Sequence, residues 1–274
     1  MSYLNLLYEK KERIVYITIN RPQVLNAIDP PTGQALCRAI NDFNQDDDLW
    51  VAIITGAGDR AFSAGADLKW RASGYPSELD EDRPPEHNRD VFYNQKPTGH
   101  STFPLQIWKP LIAAVNGYCL GGGLELALSC DIVVASENAT FGQMEVTHGW
   151  PARNGTFELS RQLPWKLAME MILTGDRFNA QEMYRRGLVN YVVPLAELMP
   201  TATRIAERIC ENPPLAVRAA KELAVRGRDL PKDYPPTVWN LVTESGYFRA
   251  LDSEDRKEGR RAFVEKRKPA FKGR

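Results

Sequence analysis

Four cysteines and three histidines among 274 residues leave little material for a disulfide framework or a metal cage. The cysteines (Cys37, Cys119, Cys130 and Cys210) are scattered without metal-ligand spacing. Cys119 and Cys130 lie inside apolar runs, so they read as small core side chains in a reducing compartment. Excess charge of either sign is also lacking: 35 Lys and Arg balance 35 Asp and Glu, which removes any global attraction for nucleic acid or an anionic membrane. An anionic ligand must therefore be met by a local patch. No stretch of about 18–20 residues is free of charges and glycine breaks, which excludes a transmembrane helix. The opening MSYLNLLYEKKERIVYITIN lacks the basic region, apolar block and small-residue cleavage site of a secretory signal, and the expected location is cytoplasmic.

What is present suits a globular protein with a substantial core: 43% hydrophobic and 26% charged residues in a length that fits one large domain, or one domain with an appendage. Runs rich in β-branched and apolar residues, RIVYITIN (13–20), WVAIITG (50–56), LIAAVNG (111–117) and DIVVASEN (131–138), are predicted strands. Ala35, Leu36, Ala39, Ile40 and Phe43 recur at helical spacing and predict a helix over 32–45. Strand followed by helix argues an α/β fold. No strict sequence repeat is visible. Residues 70–109 are polar and proline-bearing, as expected of a lid or binding segment. Beyond about residue 158 the pattern is helical, which divides the chain into an α/β core over 1–195 and a helical C-terminal region over 196–274. The end, RKEGRRAFVEKRKPAFKGR, carries nine basic and two acidic side chains.

The run NGYCLGGGLELALSCD (116–131) sets three glycines before Glu125, the only ionisable side chain of an apolar helical stretch. It fits neither the dinucleotide pattern, since Leu126 stands where a glycine is required, nor a phosphate-binding loop, since Leu124-Glu125 replaces the Lys-Ser/Thr pair. One reading places Glu125 in a first helical turn, where it offsets the macrodipole. A second small-residue passage, AFSAGADLKW (61–70), also follows a predicted strand and precedes a partly helical segment. Two such turns expose unpaired N–H groups that can aim at one oxygen, the requirement for an oxyanion hole; the alternative is a pair of tight connections. Twenty residues past Glu125, Glu145 follows FGQM. Two carboxylates at one site suit acid–base chemistry, while an isolated glutamate is ordinarily on the surface.

FSAGADLKW, KPLIAAVNGYCLGGGLELALSCDIVVASENATFGQMEV, MILTGDRFNAQEMYRRGLVNYVVP and the basic tail together resemble the enoyl-CoA hydratase/isomerase (crotonase) family, and RIVYITINRPQVLNAI is similar to its first strand and turn. The resemblance implies a spiral of ββα units with a C-terminal helical oligomerisation region. It implies that the amides of Ala66 and Gly122 hold a thioester carbonyl, with Glu125 activating water for attack on Cβ and Glu145 delivering a proton to Cα. Ala64, Ala66, Asp67, Leu68 and Lys69, with Leu25 nearby, would follow the pantetheine and adenine of coenzyme A; Gly121 and Gly122 would line the acyl thioester. Lys266 and Lys268 would meet the phosphates, across a subunit boundary, or simply belong to a solvated helix end. The implied substrate is an acyl-CoA, with no metal, no permanently bound cofactor, no nucleic acid and no membrane partner, and the implied assembly is a homotrimer or homohexamer. The implied activity is hydration of a 2-enoyl-CoA or the reverse dehydration. The alternatives are a double-bond isomerase, a carnitinyl-CoA-type dehydratase, and an inactive acyl-CoA-binding protein.

One stretch departs from the family pattern. GWPARNG (149–155) is a residue shorter than the usual Gly-rich loop and carries Trp150, Arg153 and Asn154 in place of small residues. Trp150 is therefore a candidate wall for a bulky or cyclic acyl group, or else a core side chain. His148 reads as a hydrogen-bonded structural residue rather than a third acid or base.

Overall fold

The computed structural model describes residues 3–69, 107–152, 154–228, 230 and 235–274. The 70–106 part of the expected lid lies outside the described residues. Ten described strands form two sheets. The larger has the order β1 (Leu6–Lys11), β2 (Ile14–Ile19), β3 (Val51–Gly56), β5 (Leu111–Val115), β7 (Ile132–Ser136), β10 (Tyr191–Val193) and is parallel from β2 onward. The smaller is β4 (Ala61–Ser63), β6 (Tyr118–Leu120), β8 (Thr140–Gly142), β9 (Arg177–Asn179), with β9 antiparallel. The chain steps from the large sheet to the small one three times in succession, β3 to β4, β5 to β6 and β7 to β8. Asparagines tie the stacked corners: Asn116 Nδ2 donates to the carbonyls of Gly56 (2.9 Å) and Gly58 (2.7 Å), and Asn138 Nδ2 to that of Asn116 (3.3 Å). This is the expected spiral.

The four interior strand expectations hold within two residues at each end. The large sheet is buried on both faces, as a parallel sheet must be. On β3, Ala52 and Ile54 face the core shared with the small sheet, while Val51 and Ile53 face the other side. The first core also takes Ala35, Leu36, Ala39, Ile40 and Phe43 of α1 (Pro30–Gln45). This helix starts two residues before the predicted one, because Asp29 caps it by accepting from the Thr32 amide (2.9 Å) and prolines are tolerated in a first turn, where their missing N–H has no partner to lose. The second core is closed by Leu198, Ala202 and Ala206 of the helix Leu195–Cys210.

Lys109, 2% exposed, crosses beneath the end of α1 and donates to the carbonyls of Phe43 (2.7 Å) and Asp46 (2.6 Å). Lys109→Met leaves both carbonyls without that donor and is expected to destabilise the fold by about 1–3 kcal/mol. Burial pulls the ammonium down to about 8. Since an unfolded lysine titrates near 10.5, the unfolded chain binds more protons between those values, so this group's contribution to wild-type stability rises with pH there. Urea unfolding at pH 7 and pH 9.5 checks both points: the gap between wild type and Lys109→Met should widen at the higher pH.

The end of the chain returns to the core. Asp255, 1% exposed, accepts from the amides of Lys272 (2.7 Å) and Gly273 (2.8 Å), and Arg13, stacked on Trp50, donates to the Phe271 carbonyl (3.0 Å). Trp239, Phe263 and Val264 of this C-terminal region remain exposed. Among the described residues no helix is long and apolar enough to cross a membrane.

Candidate active site

Each small-residue turn follows a short strand of the small sheet, β4 or β6, rather than the long strand before it as the sequence suggested. The turn after β4 is stitched to the loop after β2 by main-chain bonds: Ala64 N–H to Leu25 O (3.0 Å), Ile28 N–H to Gly65 O (2.8 Å) and Asp67 N–H to Ile28 O (3.1 Å). In this pairing the Ala66 amide faces away from Ile28. The turn after β6 runs into the helix Gly122–Leu128, of which Gly122 is the first residue. A helix's first amides have no intrahelical acceptor. Among the described residues neither the Ala66 nor the Gly122 amide has an acceptor.

The two turns touch. Gly65 has φ +89°, and a Cβ built on it would lie 2.7 Å from the Leu120 carbonyl oxygen and 3.0 Å from the Gly122 nitrogen. Gly121 has φ +50° and ψ −123°, a conformation that side chains rarely permit, and it turns the chain into the helix. Gly123 seats that helix on β4, since a Cβ there would stand 2.3 Å from the Ser63 carbonyl oxygen. The triple glycine thus serves the turn and the approach of the helix to its neighbours.

The same turn gathers both carboxylates. Glu125 lies one helical turn beyond Gly121, 7% exposed, and its Oε1 accepts from the Gly155 amide (2.9 Å) in the first turn of the helix Asn154–Gln162. The altered loop thereby supplies an N–H to this carboxylate, a charge-assisted bond at a positive helix end. Glu145, half-buried at the start of the short helix Glu145–His148, has its Oε1 3.0 Å from the position of a Gly121 Cβ. Its Oε2 accepts from Gln143 Nε2 (2.7 Å). Gln143, 1% exposed, packs directly over Gly155, where a Cβ would collide with its amide oxygen at 2.1 Å. Glu125 and Glu145 therefore border one small region lined by Gly121, Gln143 and Gly155. Free amides beside paired carboxylates can polarise a carbonyl while moving protons at the carbons next to it.

The remaining predicted residues are spread more widely. Leu25 is left-handed at φ 55° and gives its carbonyl to the Ala64 amide. The Asp67 carboxylate accepts from Arg21 (3.0 Å), and Leu68 and Lys69 are exposed. Trp150 is 39% exposed, its amide donating to the Glu145 carbonyl (3.3 Å) and its ring 5.6 Å from that of His148, whose Nδ1 lies 3.1 Å from the Met144 carbonyl oxygen. Lys266 is the left-handed cap of the helix Glu254–Glu265, and Lys268 pairs with Glu211 at 3.5 Å. Among the described residues no hydrogen bond or ion pair joins either lysine to the two turns. Sequence reading missed Arg21, Gln143 and Gly155. Arg21 lies in RIVYITINRPQVLNAI and Gln143 in FGQMEV, but polar side chains reveal their partners only once the chain is folded. Among the described residues no group of three His, Cys, Asp or Glu is arranged to hold a metal ion.

Comparison with known proteins agrees with this geometry. The family model described as enoyl-CoA hydratase/isomerase matches residues 9–274. The chain is 39% identical over 271 residues to (E)-benzylidenesuccinyl-CoA hydratase of Thauera aromatica, covering 97% of this chain and 98% of that protein. It is 40% identical over 262 residues to carnitinyl-CoA dehydratase of Salmonella paratyphi A, covering 95% of each. Among solved structures, enoyl-CoA hydratase from Bacillus anthracis superposes with a TM-score of 0.86 at 35% identity, covering 99% of this chain and 100% of that one. The full-length match, the spiral of paired strands and the two touching turns lead to one conclusion: this chain belongs to the enoyl-CoA hydratase/isomerase family.

Proposed function

We propose that the protein is a lyase that adds water across the double bond of a 2-enoyl-CoA thioester, or removes it from the 3-hydroxyacyl-CoA. The observation that carries this reading is the presence of two carboxylates, Glu125 and Glu145, beside the turn that bears the Gly122 amide, which has no acceptor among the described residues. The thioester oxygen accepts from the Ala66 and Gly122 amides, which stabilise the enolate-like charge that forms at the α-carbon and oxygen. Glu125 holds and activates the water that attacks Cβ. Glu145 supplies the proton to Cα. The reaction needs neither a metal nor a resident cofactor, because coenzyme A arrives as part of the substrate.

Ala64, Asp67, Leu68, Lys69 and Leu25 border the path of the pantetheine and adenine in this reading, with Gly121 against the acyl thioester. Lys266 and Lys268 meet the phosphates from a neighbouring subunit. Residues 196–274 form the oligomerisation region of a homotrimer or homohexamer, which the exposure of Trp239 (62%), Phe263 (85%) and Val264 (78%) supports. Trp150, exposed and bonded through its amide to Glu145, walls the acyl end and favours bulky or cyclic acyl groups. A specialised dehydratase is the same chemistry in reverse, and the similarity to a carnitinyl-CoA dehydratase favours keeping it within the reading.

A steady-state screen over short, long, branched and aryl-substituted enoyl-CoAs tests this. The expected outcome is loss of enoyl absorbance with incorporation of water, fastest for a bulky or cyclic acyl group. Binding without any absorbance change would instead mark an inert acyl-CoA-binding protein, and double-bond migration without water would mark an isomerase.

A further inference from the structure

Arg21 is one of the better-enclosed cations of the molecule, and it touches the turn that carries the Ala66 amide. Its side chain is 13% exposed. One guanidinium nitrogen, Nη2, lies 3.0 Å from Asp67 Oδ2 and 3.1 Å from Asp29 Oδ2, and the other, Nη1, donates to the Ala27 carbonyl (2.5 Å). Both carboxylates are as enclosed as the arginine, at 12% for Asp67 and 11% for Asp29. The partners belong to two pieces of chain, the turn and the loop that leads into α1. Asp67 directly follows Ala66, Asp29 caps α1, and Ala27 lies in the loop that pairs with the turn.

That loop is itself held in an uncommon shape. Leu25 and Asn26 are both left-handed at φ 55° although neither is glycine. Such residues cost of order 1–3 kcal/mol each unless their surroundings fix them. Asn26, fully buried, is fixed by its side chain, which accepts from the Arg21 amide (3.0 Å) and donates to the carbonyls of Ala61 (2.6 Å) and Ala57 (3.0 Å). The Arg21 backbone therefore anchors the loop, and the Arg21 side chain reaches across to the turn. Main-chain bonds set the distance between loop and turn. The Gly65–Ala66 peptide that presents the Ala66 amide is held at its Gly65 carbonyl by the Ile28 N–H, and the Arg21–Asp67 ion pair clamps the next side chain along to that same loop, so that the turn keeps the register in which this bond forms.

We infer that Arg21 is a positioning residue for the reaction: by gripping Asp67 it holds the Ala66 amide in the orientation that polarises the thioester carbonyl. This rests on the proposed role of Ala66 and Gly122. An arginine suits the task because its planar fork can meet two carboxylates and a carbonyl at once, whereas a lysine ammonium is a single point charge. In an enclosed site, loss of one partner also strands the other charges, so the turn would shift rather than simply lose a bond. Misplacement of a donor by about 1 Å can cost on the order of 100-fold in rate.

The test compares wild type with Arg21→Gln, Arg21→Lys and Asp67→Asn. Two quantities are read: kcat and KM for the best enoyl-CoA from the screen, and the carbonyl stretch of a 13C-labelled acyl-CoA thioester bound to each protein by infrared difference spectroscopy. Wild type should lower the carbonyl frequency on binding. Arg21→Gln and Asp67→Asn should lose about 10- to 100-fold in kcat with KM within about threefold, and should lose part of the frequency shift. Arg21→Lys should fall between. Asp67→Asn keeps the shape of the side chain, so it provides the reading if Arg21→Gln fails to fold. Folded variants with the wild-type frequency shift and kcat would overturn the inference, as would a loss confined to KM or to thermal stability. Absence of any shift in wild type would instead remove the oxyanion reading itself, so the two failures are distinguishable.

Discussion

Glu145→Gln is expected to lower kcat for hydration by about 10²- to 10⁴-fold, and Glu125→Gln by a similar factor, while both variants still bind the thioester. The reason is the proton count of the reaction. Water must lose a proton as it attacks Cβ, and Cα must gain one. A single carboxylate can shuttle a proton between two carbons of the same substrate, which suffices for moving a double bond. Net addition of water is served better by two groups, one accepting while the other donates. The enclosure of Glu125 and its bond to the Gly155 amide leave it well placed to hold a water, and Gln143 holds Glu145 against Gly121. Gln retains the shape of either side chain but cannot take up a proton. Steady-state rates and ligand titration on the two variants check this. If only Glu145→Gln were inactive, a one-carboxylate isomerisation would replace the hydratase reading.

Gly65→Ala is expected to produce the second large effect, a loss of about 10²- to 10³-fold in kcat together with lower stability. Alanine at φ +89° is strained in itself. Its methyl group would also stand 2.7 Å from the Leu120 carbonyl oxygen and 3.0 Å from the Gly122 nitrogen, so it must push apart the two turns that present the Ala66 and Gly122 amides. Gly58→Ala separates the two causes. Gly58 has a comparable φ of +81°, yet among the described residues an added Cβ there meets only Pro22 at 3.7 Å. That control should lose stability by about 1–2 kcal/mol with kcat unchanged. Thermal unfolding and kcat measured on both variants decide the matter; equal activity losses would mean that general destabilisation, not separation of the turns, limits catalysis.

Long elements were legible in the sequence. β2, β3, β5 and β7 have runs of β-branched residues, and α1 has an apolar stripe at helical spacing. The small sheet was not legible, because β4, β6, β8 and β9 are three residues each, too short to display a period. Consequently the turns were assigned to the long strands that precede these short ones. β1 also passed unseen: LLYEKK ends in three charged residues, as suits an edge strand that among the described residues pairs with β2 alone. At the site, Glu125 and the glycines stood out as unusual residues in apolar or pliable surroundings, whereas Glu145 came forward only through the family resemblance. Arg21, Gln143 and Gly155 did not, since each acts through a partner 46, 2 or 30 positions away. Their importance comes from the folded neighbourhood.

The central claim is that two main-chain amides on separate turns share one carbonyl oxygen. A crystal structure of the protein with a non-hydratable acyl-CoA thioester tests it most directly. The thioester oxygen should lie about 2.7–3.1 Å from both the Ala66 and the Gly122 nitrogen, with the carboxylates of Glu125 and Glu145 within reach of one water beside the α- and β-carbons. An oxygen that meets only one of these amides, or an acyl chain lodged in another cavity, would contradict it.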